Sequence, residues 1–397
     1  MSPQIDLAAL LAGCADDSLD DGIRIDSHLE PLSGPGGMVK PAVYEGGTYQ
    51  RDRRWASPDD AEPTEVIVID NVPSQANRLE EALRRNREST SVPEFVLDLS
   101  ELANLPVHLP RTLSSLQFPH RNADAYLRDA QLDGKDFLRT ELGQAIFGAT
   151  AQTCDPLVAW FPQALLYGFW QSHLGRKRQN TKHARAWVSE IIGWQPASTQ
   201  TKVLGLKGDA LNLNTDDTVT SNPNDRTTWE VGKGAKIAGA KSDKLSEIGH
   251  GQVLFMGNEA PAAAISFARV TQRATVSFAQ LRRVSLEDGS DEADAAMRAL
   301  LVALGLHAHQ LAFGRGFALR SGAELRSRST TVTWLGVDGD DPINLGGAET
   351  TNSLLQSARE HAASEGVPLD GWGAPAIRLT PKPNLSAAIR STWPKLD

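Results

Sequence analysis

The sequence predicts an α+β fold in which two halves share one sheet, as in a ferredoxin-like, RRM-type core that carries a large insertion. Three observations support this. A strand–helix–strand pattern opens the chain, a helix–strand–strand–helix pattern closes it, and a mainly helical stretch separates them. With 397 residues, 40% of them hydrophobic, the chain can form two or three domains or one core with large insertions.

The N-terminal half begins with a predicted strand over 22–32, where apolar and polar residues alternate until a proline. A Gly- and Pro-rich loop follows over 33–50. The β-branched run "TEVIVID" (64–70) predicts a buried strand. Ser74 then has the residue type of an N-cap for an amphipathic helix, and 94–100 predicts another strand.

Residues 101–195 predict a helical layer, in which Asp155 and Pro156 form a strong helix start. Pro162 should kink that helix. Residues 196–245 are polar and rich in Gly, Asn, Thr and Asp, which predicts a flexible hairpin or a long excursion from the core.

The C-terminal half predicts a strand followed by a helical or extended segment over 262–284. A long helix over 291–313 carries an apolar stripe. The runs "GFALRS" and "STTVTWLGVD" predict strands around an arginine-rich turn, and a second helix ends at Gly366.

The formal net charge of −9 argues weakly against nucleic-acid binding, but the charges are segregated. Acids dominate 1–34 and 287–294, whereas 173–187, 269–283 and 315–328 are basic windows. Each window is either a solvated face or a contact with an anionic partner, and three windows favour a shared anionic partner.

The sequence has only two cysteines, which predicts a reduced, cytoplasmic protein without disulfide bonds. It shows no signal-peptide pattern and no apolar run of about 18 residues, so we predict no membrane segment. No nucleophile-elbow, zinc-protease, Walker or dinucleotide motif is present. His307 and His309 are the best metal candidates, but at i and i+2 on a helix they face nearly opposite sides. We therefore predict no catalytic residues, no metal and no cofactor.

The segment "VIDNVPSQANRLEEAL" (68–83) resembles the signature of the RAMP-superfamily backbone subunit of type I-U (also called I-G) CRISPR effector complexes. The matching residues are Gln75, Ala76, Asn77, Arg78, Leu79 and Glu80, although "NVPSQ" departs from the usual order before them. Four further stretches resemble the family in the same order along the chain, namely 111–129, 164–193, 246–251 and 316–328.

The resemblance implies a non-catalytic subunit that polymerises along guide RNA within a Cascade-type complex. It implies an RRM-like palm (1–100 and 246–397), a helical fingers insertion (101–195) and a thumb-like hairpin (196–245). The implied partners are guide RNA, target DNA, neighbouring copies of the chain and other effector subunits. Since guide sequences vary, such a protein must hold the sugar-phosphate backbone rather than read bases.

The resemblance and the basic windows together give the candidate RNA-binding residues. They are Gln75, Asn77, Arg78, His120, Arg121, Arg176, Lys177, Arg178, Lys182, Arg185, Lys233, Lys236, His250, Arg269, Arg273, Arg315, Arg320 and Arg326. Three alternatives stay open. The chain could be an acidic cytosolic scaffold whose basic windows pair with its own acids. The 173–187 window could contact the acids of an adjacent subunit, and the chain could be a metal-dependent RNA nuclease that uses Asp209, Asp216 or Asp217.

Overall fold

The computed structural model describes residues 2–103, 105, 109–171, 181–197, 211, 213, 218–223, 225–232, 237, 239–245, 247–248, 250 and 264–391. The chain forms two compact units. The first unit comprises Met1–Ala42, Tyr49–Ser198 and Ala264–Leu385, and the second comprises Val43–Thr48, Thr199–Ala263 and Ser386–Asp397.

The strands of the described residues are β1 (Gly22–Pro31), β2 (Met38–Val39), β3 (Val43–Tyr44), β4 (Thr48–Tyr49), β5 (Arg51–Arg54), β6 (Thr64–Asp70), β7 (Phe95–Asp98), β8 (Thr112–Ser114), β9 (Ala130–Leu132), β10 (Lys135–Asp136), β11 (Phe169–Gln171), β12 (Thr181–His183), β13 (Trp187–Pro196), β14 (Thr218–Asn222), β15 (Asp225–Val231), β16 (Lys241–Lys244), β17 (Ile265–Ser277), β18 (Phe317–Ala318), β19 (Glu324–Gly336), β20 (Gly339–Ile343) and β21 (Ile377–Pro381).

The α-helices of the same residues are α1 (Leu7–Cys14), α2 (Val72–Arg85), α3 (Arg87–Thr90), α4 (Ala125–Arg128), α5 (Glu141–Gly148), α6 (Asp155–Trp160), α7 (Pro162–Tyr167), α8 (Phe278–Leu281), α9 (Asp291–Phe313), α10 (Ala348–Ser364) and α11 (Pro383–Ser391).

The main sheet of the first unit has the order β18-β19-β1-β17-β13-β6-β5, with β20 also beside β19 and β2 beside β17. All neighbouring strands in it are antiparallel. The pairing of β1 with β19 shifts register between His28 and Leu29, which marks a β-bulge. A second sheet of the first unit has the order β10-β9-β21-β7-β8, and β15-β14-β16 form a three-stranded sheet in the second unit.

Helix α2 covers one face of the main sheet. Its buried Gln75 accepts from Gln272 Nε2 of β17 at 2.8 Å and from Ser189 Oγ of β13 at 3.3 Å. Helix α9 packs against α1, α2 and α10 and is buried along most of its length. Among the described helices, α9 alone is long and apolar enough to cross a membrane. However, 83% of its most apolar 18-residue segment is buried, as in the core helix of a globular protein.

The structure confirms a mixed α+β fold, and several predicted elements agree with it. Strand β6 and helix α9 have the predicted bounds. Pro162 separates α6 from α7, as its missing N–H predicts. The N-cap of α2 is Asn71 rather than Ser74, because the Asn71 side chain accepts the Ser74 N–H at 3.1 Å.

The main difference is β13, a central strand within the stretch predicted to be helical. Its buried Trp187, Ser189 and Ile191 alternate with the more exposed Val188 and Glu190, which is the period of a strand. The proposed division into palm, fingers and thumb stays a prediction.

Candidate nucleic-acid interface

The face of the main sheet opposite α2, here called the open face, carries three of the predicted residues. Because Gln272 and Ser189 point toward α2, their neighbours Arg273 and Glu190 point the other way. Arg269 and Arg273 are exposed on β17, and Arg326 lies on β19, where it reaches Glu30 of β1.

Two carboxylates of β1 each hold two arginines on this face. Asp26 accepts from Arg24 at 2.9 Å and from Arg273 at 2.6 Å. Glu30 pairs with Arg326 at 2.7 Å and with Arg328 at 3.2 Å. The hydrogen bond from Arg326, followed by the nearby charges, holds the pKa of Glu30 below its ordinary value. Arg24 also pairs with Asp340 at 3.2 Å, so the Asp26 group is balanced in charge. The Glu30 group has one carboxylate for two guanidinium groups and leaves one positive charge over.

Aromatic residues accompany these arginines. The Arg269 guanidinium lies 4.5 Å from the ring centroid of Trp194, whose Nε1 donates to Thr271 Oγ1 at 2.7 Å. Trp55 is 57% exposed. Both tryptophans line a cleft of about 300 Å³ together with Arg269 and Arg273. Arginine beside an exposed aromatic ring is a combination that binds single-stranded nucleic acid.

A second cleft brings together Asn77, Arg78 and Arg315. We name it the α2–α9 cleft, and its volume is about 540 Å³. It is lined by the outer residues of α2 and by the end of α9 and the segment up to β18, namely Ser74, Asn77, Arg78, Glu81, Ala82, Arg85, Asn86, Leu311, Ala312, Phe313, Arg315, Gly316, Phe317 and Ala318. Asn77 and Arg315 are exposed, and Arg315 forms no ion pair within the described residues.

Asp70 holds Arg78, one of the residues that line this cleft, in place. It is fully buried and pairs with Arg78 at 2.7 Å and with Arg320 at 3.0 Å. Burial pushes the pKa of Asp70 up, but hydrogen bonds from Arg78, Gln75 and Ser74 outweigh burial and hold it below its ordinary value. Arg78 and Arg320 remain about a quarter exposed, at 25% and 26% of their side chains. Gln75 is fully buried, so it positions α2 instead of facing a ligand.

Arg121 also has a structural position. It forms a two-pronged ion pair with Glu80, with both distances 2.8 Å, and donates to the Gly168 carbonyl at 3.0 Å. Both side chains are almost completely buried. Burial raises the pKa of Glu80, and the charge of Arg121 opposes that shift. In this conformation Arg121 is not accessible to RNA, because its donors point to α2 and to the segment before β11.

Three further predicted residues of the first unit, His120, Lys182 and Arg185, line neither cleft. His120 is exposed, and its backbone N–H donates to Asp124. Lys182 and Arg185 are exposed and form no ion pair within 181–197 or the other described ranges; burial, and then the charge of Arg121, lowers the pKa of Arg185. In the second unit, the exposed His250 ring lies 5.1 Å from the Trp229 ring. Outside the described residues lie Arg176, Lys177, Arg178, Lys233, Lys236, Asp209, Asp216 and Asp217.

The two candidate metal ligands of the sequence are core residues. His307 is 2% exposed and its Nδ1 lies 2.9 Å from Thr351 Oγ1, while His309 is 4% exposed against Trp187 and Phe313. Burial lowers the pKa of each to about 4. Among the described residues, no group of three or more His, Cys, Asp or Glu side chains is arranged to hold a metal ion.

Sequence reasoning missed Arg24, Arg328, Trp55 and Trp194. A signal for the open face was present in β1, where Arg24, Asp26, His28 and Glu30 alternate with buried residues. The tryptophans gave no such signal, because only the pairing of β13 with β17 places Trp194 beside Arg269.

Residues 23–197, less than half of the chain, match the model of a family described as CRISPR-associated protein GSU0053. The match indicates a CRISPR-associated protein. No curated protein matches the chain.

Proposed function

We propose that this CRISPR-associated chain is a non-catalytic RAMP-superfamily backbone subunit of a type I-U (I-G) effector complex. It polymerises along guide RNA in the cytoplasm, holds the RNA by its phosphates and presents it for pairing with target DNA. Its further partners are neighbouring copies of itself and the other effector subunits.

The order of the main sheet supports an RRM-like palm. Four adjacent strands have the order β19-β1-β17-β13. Along the chain, α2 falls between β1 and β13, β17 follows β13, and α9 falls between β17 and β19. This is the β-α-β-β-α-β connection of a ferredoxin-like core, to which β6 and β5 add an edge. RRM domains bind single-stranded RNA on the sheet face that their helices leave uncovered.

The observation that carries the proposal is the cluster of arginines on the open face. Arg24 and Arg273 share Asp26, Arg326 and Arg328 share Glu30, and Arg269 stacks on Trp194. Arginines in this arrangement bind phosphates without selecting a sequence. That property suits a protein whose guide RNA differs from one complex to the next.

The test is RNA binding by nucleic-acid-free protein, measured by fluorescence anisotropy at several salt concentrations. Each neutralised phosphate should contribute about 0.7 to the slope of log affinity against log salt. Arg269→Glu with Arg273→Glu should weaken binding more than tenfold and flatten this slope. The control is Arg139→Glu, which reverses an arginine whose side chain is 84% exposed elsewhere on the chain.

Failure of the wild-type protein to bind RNA at low salt would contradict the proposal. The same samples, incubated with Mg²⁺ or Mn²⁺, test the nuclease alternative. We expect the RNA to stay intact, and its cleavage would favour the nuclease.

A further inference from the structure

The α2–α9 cleft has two walls of different chemistry. The wall formed by α2 is polar and presents Asn77, Arg78, Glu81 and Arg85. The opposite wall, from the end of α9 to β18, is apolar and consists of Leu311, Ala312, Phe313, Phe317 and Ala318. The Phe313 and Phe317 rings meet edge to face at 4.9 Å, so the second wall has a fixed aromatic surface.

The charges at this cleft favour an anion. Arg84 and Arg85 share Glu81, at 2.6 and 2.7 Å, as Arg78 and Arg320 share Asp70. Arg315 adds a cation that forms no ion pair in the described part of the chain. The guanidinium groups therefore outnumber the carboxylates at the mouth.

The side-chain amide of Asn77 can form hydrogen bonds with the edge of a nucleobase. Its side chain is exposed on the polar wall, and its amide offers both donors and an acceptor. A phosphate alone would gain nothing from the apolar wall, whereas a nucleotide combines a flat apolar ring, polar ring edges and a phosphate. The volume of about 540 Å³ accommodates one such unit.

We propose that the α2–α9 cleft binds one unpaired nucleotide of the RNA strand. Its base lies against Phe317 with its edge near Asn77, and its phosphate lies near Arg315 and Arg85. Because an amide both donates and accepts, the cleft accepts any of the four bases. This inference rests on the proposed function, since it needs an RNA strand bound to the chain.

Photo-crosslinking tests the proposal. Single-stranded RNA with 5-iodouridine at one position at a time is bound to the full chain and irradiated, and the crosslinked peptide is identified by mass spectrometry. We expect crosslinks within 311–318 for some positions of the RNA. Asn77→Ala with Arg315→Ala should reduce them about fivefold or more, as expected for the loss of one stacked base. Both residues are exposed, and a thermal melt checks that the variant folds.

The outcomes separate this proposal from the proposed function. RNA binding without crosslinks in 311–318 would overturn the nucleotide site and leave the proposed function intact. Loss of RNA binding by the wild-type chain would overturn both. If adenosine monophosphate suppressed the crosslinks at the concentration of the RNA, the ligand would be a free nucleotide instead of a strand.

Discussion

Four carboxylates, Asp26, Glu30, Asp70 and Glu81, each form ion pairs with two arginines. The sharing places guanidinium groups in fixed positions, because a carboxylate accepts several hydrogen bonds at once. It also leaves one positive charge in the groups of Glu30, Asp70 and Glu81, whereas Asp340 balances the Asp26 group by pairing with Arg24. At the scale of single residues, this is how an acidic chain presents cationic surfaces.

The shared carboxylates give an unusual prediction for Glu30. Glu30→Gln removes the negative charge but keeps a polar side chain beside Arg326 and Arg328, so RNA affinity should rise a few-fold at low salt. Arg326→Gln should lower the affinity instead. Anisotropy titrations at low and high salt measure both variants, and the gain should disappear at high salt because of screening. A loss of affinity in Glu30→Gln would mean that the carboxylate orients the arginines more than it neutralises them.

The buried pair of Arg121 and Glu80 gives a prediction about stability. Arg121→Met leaves Glu80 buried without its partner and should lower the free energy of unfolding by about 3–5 kcal/mol. The double variant Arg121→Met with Glu80→Leu should recover most of that loss, because both charges are gone. Urea denaturation of the two variants measures the difference. Equal stability of the single variant and the wild type would show that this pair does not anchor the segment before β11.

At the scale of whole elements, the predictable parts were those with a strong local pattern. Strand β6 is a run of β-branched residues, and α9 has an acidic first turn followed by a long apolar stripe, so both were found with their bounds. Strand β13 was missed because the strong helix signals of α6 and α7 lie in the same stretch of sequence, and because its strand partners, β17 and β6, are distant in sequence. The two clefts are formed by residues that come together only through pairing of strands and packing of helices that are distant in sequence. The sequence therefore predicted some of their residues but not that these residues lie together.

Helix α9 also predicts a pH dependence, because burial lowers the pKa of His307 and of His309 to about 4. An unfolded histidine titrates near pH 6.5, so between about 6.5 and 4 the unfolded chain binds more protons than the folded chain. The stability is therefore fully present above about pH 6.5 and falls as the pH falls through this window, by up to about 3 kcal/mol for each histidine.

Urea denaturation between pH 7.5 and pH 4.5 measures this loss. His309→Leu should reduce the pH dependence by about half. A variant of His309 with the full wild-type pH dependence would show that this histidine is not buried in its neutral form.

At the scale of the whole molecule, a net charge of −9 coexists with arginine-rich surfaces because part of the acids lie away from them. Asp16 pairs with Arg298 near the start of α9, and Asp20 accepts from Trp334 Nε1 and from the Val337 N–H beside the β19–β20 turn. Asp16 thus lies near the first half of α9, and Asp291, Glu292 and Asp294 form its first turn, whereas Arg315 follows its other end. Net charge alone would have argued against an RNA-binding protein.

The most direct test of the central claim is nuclease footprinting of a long single-stranded RNA, combined with the mass of the protected particle, at increasing protein concentration. A backbone subunit that polymerises along RNA predicts protection that repeats at a regular interval, independent of the RNA sequence, with a particle mass that grows with RNA length. A single protected site, or an RNA-free monomer at every concentration, would contradict the account.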